Sequence, residues 1–498
     1  MCVFIFRRDL RIVDNTAWNE AVLWCRENGR KLVGVFVFHP DQIDPVKNKY
    51  FSNAAVQFMC ESLIDLDGQL KALGSKGGLY MFQGDTTQVL DRLVEMDGDG
   101  VDAVFFNKDY SVYAEKRDAA VYAWCKKRGV TCNGTYEDYD LVNADEGLLA
   151  DGRPYTNLSQ YFAKFTKGHV TVREPHTEST AQGVLLTKPL KSAKGAKGAK
   201  GAKVVGVGDL GRYYEDMPNL AQRGGRKEGL KVISRIKAKA FAKYDKERDL
   251  PAVDGTTKAS AHLHFGTISV REMYHSLVSA HSKDHALVRE LVFRSFYIKI
   301  YTHEPRWQRG VAFREAFDKL VPWKSPKEAP KEWKAWVEGR TGFPLVDAGM
   351  RQLNETGWMH NRVRMLVAVV ATRYLMLDWR DCARYFYTKL VDADTFSNTA
   401  GWQWAAGIGP DAVPYFRAPM NPFIQSKKFD VDAEYIKRWV PELADVEARK
   451  IHAWEKWSGA GSGSEAAAGT YPAPIIAQKE ASKRAVDTFK GIASDLKK

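Results

Sequence analysis

The chain has 498 residues, of which 45% are hydrophobic, enough for a large core shared by more than one domain. Its formal net charge of +13 favours an anionic partner, with nucleic acid ahead of a membrane surface because the sequence shows no basic amphipathic helix or lipidation signal. The six cysteines, at positions 2, 25, 60, 125, 132 and 382, form no CxxC pair and no metal-ligand spacing, so they read as reduced thiols of an intracellular protein, cytoplasmic or nuclear, with no metal site.

The opening MCVFIFRRDLR is an apolar run followed at once by charge, too short for a signal peptide or membrane span, and it predicts a first β-strand. Apolar runs at 32–38, 78–82 and 101–106 alternate with helix-like segments such as AAVQFMCESLIDLDGQLKAL. That rhythm predicts a doubly wound, Rossmann-like α/β domain with a parallel sheet over residues 1–132. No GxGxxG follows the first strand, so a conventional dinucleotide site is not expected there. Asn107 and Asp109 end a predicted strand, where open α/β sheets bind small molecules; a solvated strand end and helix cap is the alternative.

Residues 133–215 lose this pattern and read as an interdomain connector. Within it a lysine recurs at every third position from Lys188 to Lys203, and Gly195, Gly198 and Gly201 oppose a stable helix. A flexible basic tether is expected, able to add nonspecific phosphate attraction.

From 216 to 490 the reading is helical. Tyr244 opens a segment in which Gly255, Thr256 and Thr257 offer a tight turn with hydroxyls and Ser260 adds another near a helix start. The same residues suit a diphosphate or an ordinary cap and turn. Glu290 and Arg294 lie four residues apart and can share a helix face as an ion pair, beside Phe293, Phe296 and Tyr297. Trp323, Trp333 and Trp336 follow. The stretch 357–404 combines four tryptophans with a run, Leu366 to Ala371, that is apolar all round and predicts a buried helix. Asn361, Arg362 and Arg364 precede that run, and Asp392, Asp394 and Asn398 follow a second segment. A buried arginine needs a carboxylate, so Arg364 is expected to pair with Asp392 or Asp394 and frame a polar pocket within apolar helices.

Five long motifs in order now carry a resemblance: RRDLR with Asp14 and Asn15, GTTKASAHLHFG, TGWMHNRVRM through NTAGWQWAAGIGPDA, KKFDVDAEYIKRWVPEL from Lys427, and YPAPI from Tyr471. Over nearly its whole length the chain resembles the photolyase/cryptochrome family, and looks most like the class I-type cyclobutane pyrimidine dimer (CPD) photolyases. The resemblance implies an α/β antenna domain, a long linker and a large all-α domain that binds FAD and DNA. It implies that Tyr244, Thr256, Thr257 and Ser260 hold the FAD phosphates, that Arg364 and Asp392 pair beside the isoalloxazine with Asn361, and that Asp394 contacts the flavin. Asn398 falls against flavin N5, where a neutral amide offers no acidic proton.

The same resemblance places Glu290, Asn361, Met365 and Trp358 at a lesion pocket, with Phe293, Arg294, Arg362 and Trp404 as further DNA contacts. The implied reaction is blue-light-driven electron donation from excited FADH⁻ to the dimer, ring splitting and return of the electron, a deoxyribodipyrimidine photo-lyase activity. Glu290 would stabilise the reduced dimer if its carboxyl is protonated, and Asn361 would hydrogen-bond the dimer or adenine. Trp402, Trp379 and Trp323 match the family's electron-transfer chain. Further implications are a second antenna chromophore of folate or deazaflavin type, UV-damaged DNA as partner with the dimer flipped from the stack, no membrane association, and a monomer. MHNR speaks for CPD over (6-4) lesions, while Asn398 and the short tail after Tyr471 speak for repair over a cryptochrome-like photoreceptor. Three departures stand out. Phe293 occupies a position where many CPD enzymes have tryptophan, Thr257 and Ala259 replace serine and leucine, and the lysine repeat and the stretch Ser458 to Gly469 read as flexible insertions.

Overall fold

Strand β1 (Cys2–Phe6) is the run CVFIF, buried at every position, which is why it lacks the alternation of a half-exposed strand and lies inside the sheet. Strands β2 (Leu32–Phe38) and β4 (Ala103–Asn107) flank it in parallel, with Ile5 opposite Val35 and Phe4 opposite Phe105. Strand β3 (Leu79–Gln83) pairs with β2, β5 (Thr131–Tyr136) with β4, and β6 (Lys203–Val205) runs antiparallel along β3. The order is β5-β4-β1-β2-β3-β6, an α/β sheet that reverses its winding beside β1. Helices Thr16–Glu27, Asn53–Ala72, Thr86–Asp97 and Val112–Arg128 connect the parallel strands. Beyond β6 the described chain is made of helices and turns, with one isolated bridge between Lys324 and Leu377. The first four strands are those the sequence predicts. The other two carry no apolar run: β5 has a single buried position and β6 is three residues long.

The computed structural model describes residues 1–98, 100–168, 170–177, 181–190, 201–411, 418–458 and 471–497. Most of the lysine repeat and nearly all of the stretch from Ser458 to Gly469 lie outside them.

The amino-terminal RRDLR motif with Asp14 joins the sheet to the helices. Arg11 pairs with Asp138 at 2.5 Å and donates to the Gly266 carbonyl at 3.0 Å, while Arg271 donates to Asp14 at 2.9 Å and to Asp138 at 2.6 Å. All four side chains are at most 4% exposed, so each charge depends on its partner. Gly266, at φ +64°, comes so close to β1 that a Cβ there would lie 2.3 Å from the Arg8 carbonyl oxygen. At the other end of the chain Tyr471 donates to Asp347 at 2.5 Å and Ile475 to the Thr341 carbonyl at 2.9 Å, seating YPAPI against the start of helix Pro344–Thr356.

All six cysteines are free. Among the described residues no helix is long and apolar enough to cross a membrane, and no group of three or more His, Cys, Asp or Glu side chains could hold a metal ion.

Candidate functional site: a polar pocket among apolar helices

Helix Asn361–Val369 begins at His360, whose Nδ1 accepts from the Arg362 amide at 3.2 Å. Its last turns are apolar and wholly buried, and it continues through a π-turn, Val370–Tyr374, as the all-round apolar run predicts. The polar side chains therefore cluster at its start. Asn361 is exposed there, with its amide nitrogen 3.9 Å from the sulfur of half-buried Met365, one turn on. Arg364 donates from Nε to the Met359 carbonyl at 2.7 Å and from Nη2 to Asp392 at 3.0 Å. The choice left open between Asp392 and Asp394 thus falls on Asp392. Its side chain is 3% exposed, and its Oδ2 also accepts from the Ser260 hydroxyl at 2.6 Å.

Asp394 has different work. Its Oδ1 caps helix Thr395–Ala406 by accepting from the Phe396 and Ser397 amides at 2.8 and 3.2 Å. Its Oδ2 takes the Tyr139 hydroxyl and faces His264 Nδ1 at 3.7 Å. Burial pushes the Asp394 carboxyl up, but His264 and the nearby Arg8 guanidinium outweigh it and hold the group well below the usual carboxylate range. The same helix carries Asn398, whose amide donates to the Ala383 carbonyl at 3.0 Å, then buried Trp402 and half-buried Trp404.

Tyr244 is buried and its phenol is pushed up by burial. Thr256 and Thr257 are half-buried, with the Thr257 hydroxyl accepting from the Ala259 amide at 3.4 Å. Four residues after Tyr244, Arg248 pairs with Glu290 at 3.0 Å, and Asp249 binds Arg362 at 2.7 Å. This short segment ties helix Ala286–His303 to helix Asn361–Val369. The ion pair that the spacing of Glu290 and Arg294 allows is not formed. Arg294 instead donates to the Tyr139 carbonyl at 2.8 Å with its guanidinium 4.1 Å from that ring. Burial raises the Glu290 carboxyl despite Arg248. Phe293 is half-buried, edge-on to Tyr297 at 4.9 Å, and Trp358 is buried with the Lys258 ammonium 5.3 Å from its ring. Arg362 is also drawn 4.7 Å over Phe429, so a phosphate contact would have to share it with Asp249.

Trp402 lies edge-on to Phe386 at 4.9 Å and to Trp336 at 5.9 Å. Trp379 and half-buried Trp323 meet at one carboxylate oxygen of Asp318, at 3.1 and 2.8 Å. Arg248, Tyr139, His264 and Asp318 carry no local signal of these roles in the sequence, since each acts on a partner brought by folding.

Four buried nitrogens around these carboxylates have no hydrogen-bond partner: His264 Nδ1, His360 Nε2, Gln222 Nε2 and Arg294 Nη2. Burial pushes the His360 imidazole down to about 4, so it is neutral near pH 7. Such orphans cost about 1–3 kcal/mol each unless a ligand satisfies them. Donors, a fixed ion pair and hydroxyls within apolar walls fit a large anionic cofactor such as FAD.

The crevice at the ends of β1 and β4, lined by Arg7, Arg8, Asp9, Asn107, Lys108, Asp109, Asp138 and Tyr139, is different. Asp109 pairs with Arg8 at 3.0 Å, and Asn107 donates to Asp9 at 2.6 Å and to Asn15 at 2.8 Å. Asn107 and Asp109, which the sequence offers to a small molecule, are thus engaged by the chain's own side chains.

The chain is similar to known proteins over both of its domains. Residues 2–179 match the family model described as DNA photolyase, and residues 287–491 match the FAD binding domain of DNA photolyase. The chain is 32% identical to the deoxyribodipyrimidine photo-lyase of Alkalihalophilus pseudofirmus, covering 98% of this chain and 97% of that one, and 31% identical to that of Escherichia coli, covering 96% and 95%. The archaeal photolyase of Sulfolobus tokodaii, solved with two FAD molecules, superposes with a TM-score of 0.80 at 34% identity over 98% of this chain and 99% of that one. A bacterial class III photolyase from Agrobacterium tumefaciens does so with 0.83 at 28% over 99% and 98%. With both its sheet domain and its FAD-binding helical domain matched, the chain belongs to the DNA photolyase family.

Proposed function

We propose that this chain is a light-dependent DNA-repair flavoenzyme that splits cyclobutane pyrimidine dimers, the reading that the names of its relatives also favour. One arrangement carries it: Asn361 and Met365 on one helix and Glu290 on another are held together at the pocket mouth by the Arg248–Glu290 and Asp249–Arg362 pairs. Bound reduced FAD, excited by blue light, would supply the electron that opens the cyclobutane ring and take it back afterwards.

The protein's own residues bind and orient. Tyr244, Thr256, Thr257 and Ser260 hold the cofactor's phosphates, and the Arg364–Asp392 pair with Asn361 fixes its ring system. Asp394 stays ionised and holds the helix that presents Asn398, a neutral amide that donates no acidic proton. Glu290, whose carboxyl burial raises, donates a hydrogen bond to the reduced dimer when it is protonated. Asn361 hydrogen-bonds the dimer or its partner base, while Met365, Trp358 and Phe293 give apolar walls that exclude water. A dimer stacks poorly and is cheap to flip out of the duplex. The net charge of +13, with Arg362 and Trp404 beside the mouth, favours the backbone contacts that offset the flip. Asn398 and MHNR favour this reading over a photoreceptor and over (6-4) repair respectively.

The test is blue-light repair by purified, reduced, flavin-loaded protein of two matched oligonucleotides, one with a thymine cyclobutane dimer and one with a (6-4) product, each with a dark control. Light-dependent restoration of the first alone is expected. Restoration of neither, with flavin bound and photoreducible, overturns the assignment.

A further inference from the structure

Two tryptophan pairs could relay electrons to Trp402, and they differ in their polar surroundings. The first is Trp379 and Trp323. Both indole nitrogens donate to Oδ1 of Asp318, at 3.1 and 2.8 Å, and that carboxylate is 3% exposed. Its other oxygen takes Arg380, which also donates to the Gly310 carbonyl at 3.2 Å and to Asp378 at 3.3 Å, with its guanidinium 4.6 Å from the Trp379 ring. The second, Trp336 and Trp333, is contiguous with Trp402 in ring contacts alone: Trp402 to Trp336 at 5.9 Å, then Trp336 to Trp333 at 5.6 Å. Trp336 is fully buried and its indole nitrogen has no hydrogen-bond partner. Trp323 and Trp333 are both half-buried, so each pair has a member within reach of solvent.

Ring contact favours the second pair, while electrostatics favours the first. An indole that has lost an electron carries a positive charge concentrated partly on its N–H. A carboxylate already aimed at that N–H in a dry site stabilises the charge without reorganising. Trp336 has no such acceptor, and an unpaired buried charge is costly. Arg380 opposes the charge from the ring face, but its guanidinium is shared among Asp318, Asp378 and the Gly310 carbonyl.

We propose that Asp318 is the positioning residue that directs the electron deficit created at Trp402 into Trp379 and Trp323 and away from Trp336 and Trp333. This rests on reading Trp402 as the tryptophan that reduces oxidised flavin under light. One electron passes from Trp402 to the flavin, one from Trp379 to Trp402, and one from Trp323 to Trp379. An external thiolate gives one electron to Trp323 and becomes a thiyl radical, two of which combine to a disulfide over two such events, and the indole protons of Trp379 and Trp323 stay on nitrogen within their bonds to Asp318.

The experiment is flash absorption of the full-length, FAD-loaded protein, following the yield and lifetime of tryptophan radicals. In the native background Trp323→Phe should abolish the long-lived radical and Trp333→Phe should leave it; the reverse overturns the proposal whether or not Asp318 variants fold. Asp318→Asn should shorten the lifetime about tenfold, the weight of one charge-assisted hydrogen bond, and make the residual yield sensitive to Trp333→Phe. Asp318→Glu should restore part of it, which a purely structural role would not require. An unchanged lifetime and route in flavin-loaded Asp318→Asn overturns the assignment of Asp318 alone. Photoreduction that survives Trp402→Phe overturns the relay reading and this inference together.

Discussion

Two polar recesses in this molecule look alike by composition and differ in how their charges are settled. At the end of β1 and β4, Arg7, Arg8 and Arg11 each have a carboxylate within 3.0 Å, supplied by Asp118, Asp109 and Asp138. In the helical domain Arg364 is paired, yet Arg294 has no ion-pair partner among the described residues, and His360 and Gln222 keep a buried nitrogen free. The first recess is a joint that fastens sheet to helices. The second is the site proposed above for the cofactor. Both recesses keep buried nitrogens without a hydrogen-bond partner, Arg7 Nε and Arg11 Nε in the first; what separates them is that every arginine of the first has a carboxylate and Arg294 of the second has none among the described residues.

The contrast can be broken most severely at the joint. Asp138→Ala takes from Arg11 its carboxylate and leaves buried Arg271 with Asp14 alone, and a loss of about 3–5 kcal/mol in urea unfolding is expected, with flavin content following the folded fraction. In the proposed cofactor site, Arg364→Ala should cost less, about 2–3 kcal/mol, and act selectively. Flavin absorbance relative to protein absorbance falls while far-ultraviolet circular dichroism is retained. Glu290→Ala sharpens the comparison further. Repair should drop about 10- to 100-fold, the worth of one hydrogen bond to a charged group, at unchanged flavin content. The pH dependence gives the smallest effect and the finest test. Because burial raises the Glu290 carboxyl, its neutral form persists above the usual carboxylate range and is lost as pH rises through the raised value. Repair by the native protein should decline across that interval, and Glu290→Gln, permanently neutral, should show a flat profile.

The parts of this architecture that read from sequence are those where one local rule suffices. Four strands announce themselves as apolar runs, and the helix after Asn361 as a run apolar on every side. Arg364 advertised a carboxylate because such a helix leaves it no water. What escaped reading depends on partners far apart in the chain. Strand β6 is recruited by pairing with β3, not by its own three residues. Glu290 and Arg294 sit at ideal helical spacing, yet Arg248 and Tyr139 reach them first from outside the helix. Asp318 lies in an unremarked four-residue helix, Glu315–Asp318, and gains its place only when Trp323 and Trp379 fold onto it.

The bond from Tyr139 to Asp394 has a thermodynamic corollary. One carboxylate both starts the helix bearing Asn398 and Trp402 and grips a tyrosine from the segment just after the sheet. Cofactor affinity and the docking of the two halves are then reciprocal quantities. Whatever free energy the ligand gains from a held Asp394 is returned, by linkage, as resistance to the halves parting. On the proposed cofactor site, a loaded protein is a tighter protein, and a nick or substitution on the sheet side is felt as a weaker grip on a cofactor that it never touches.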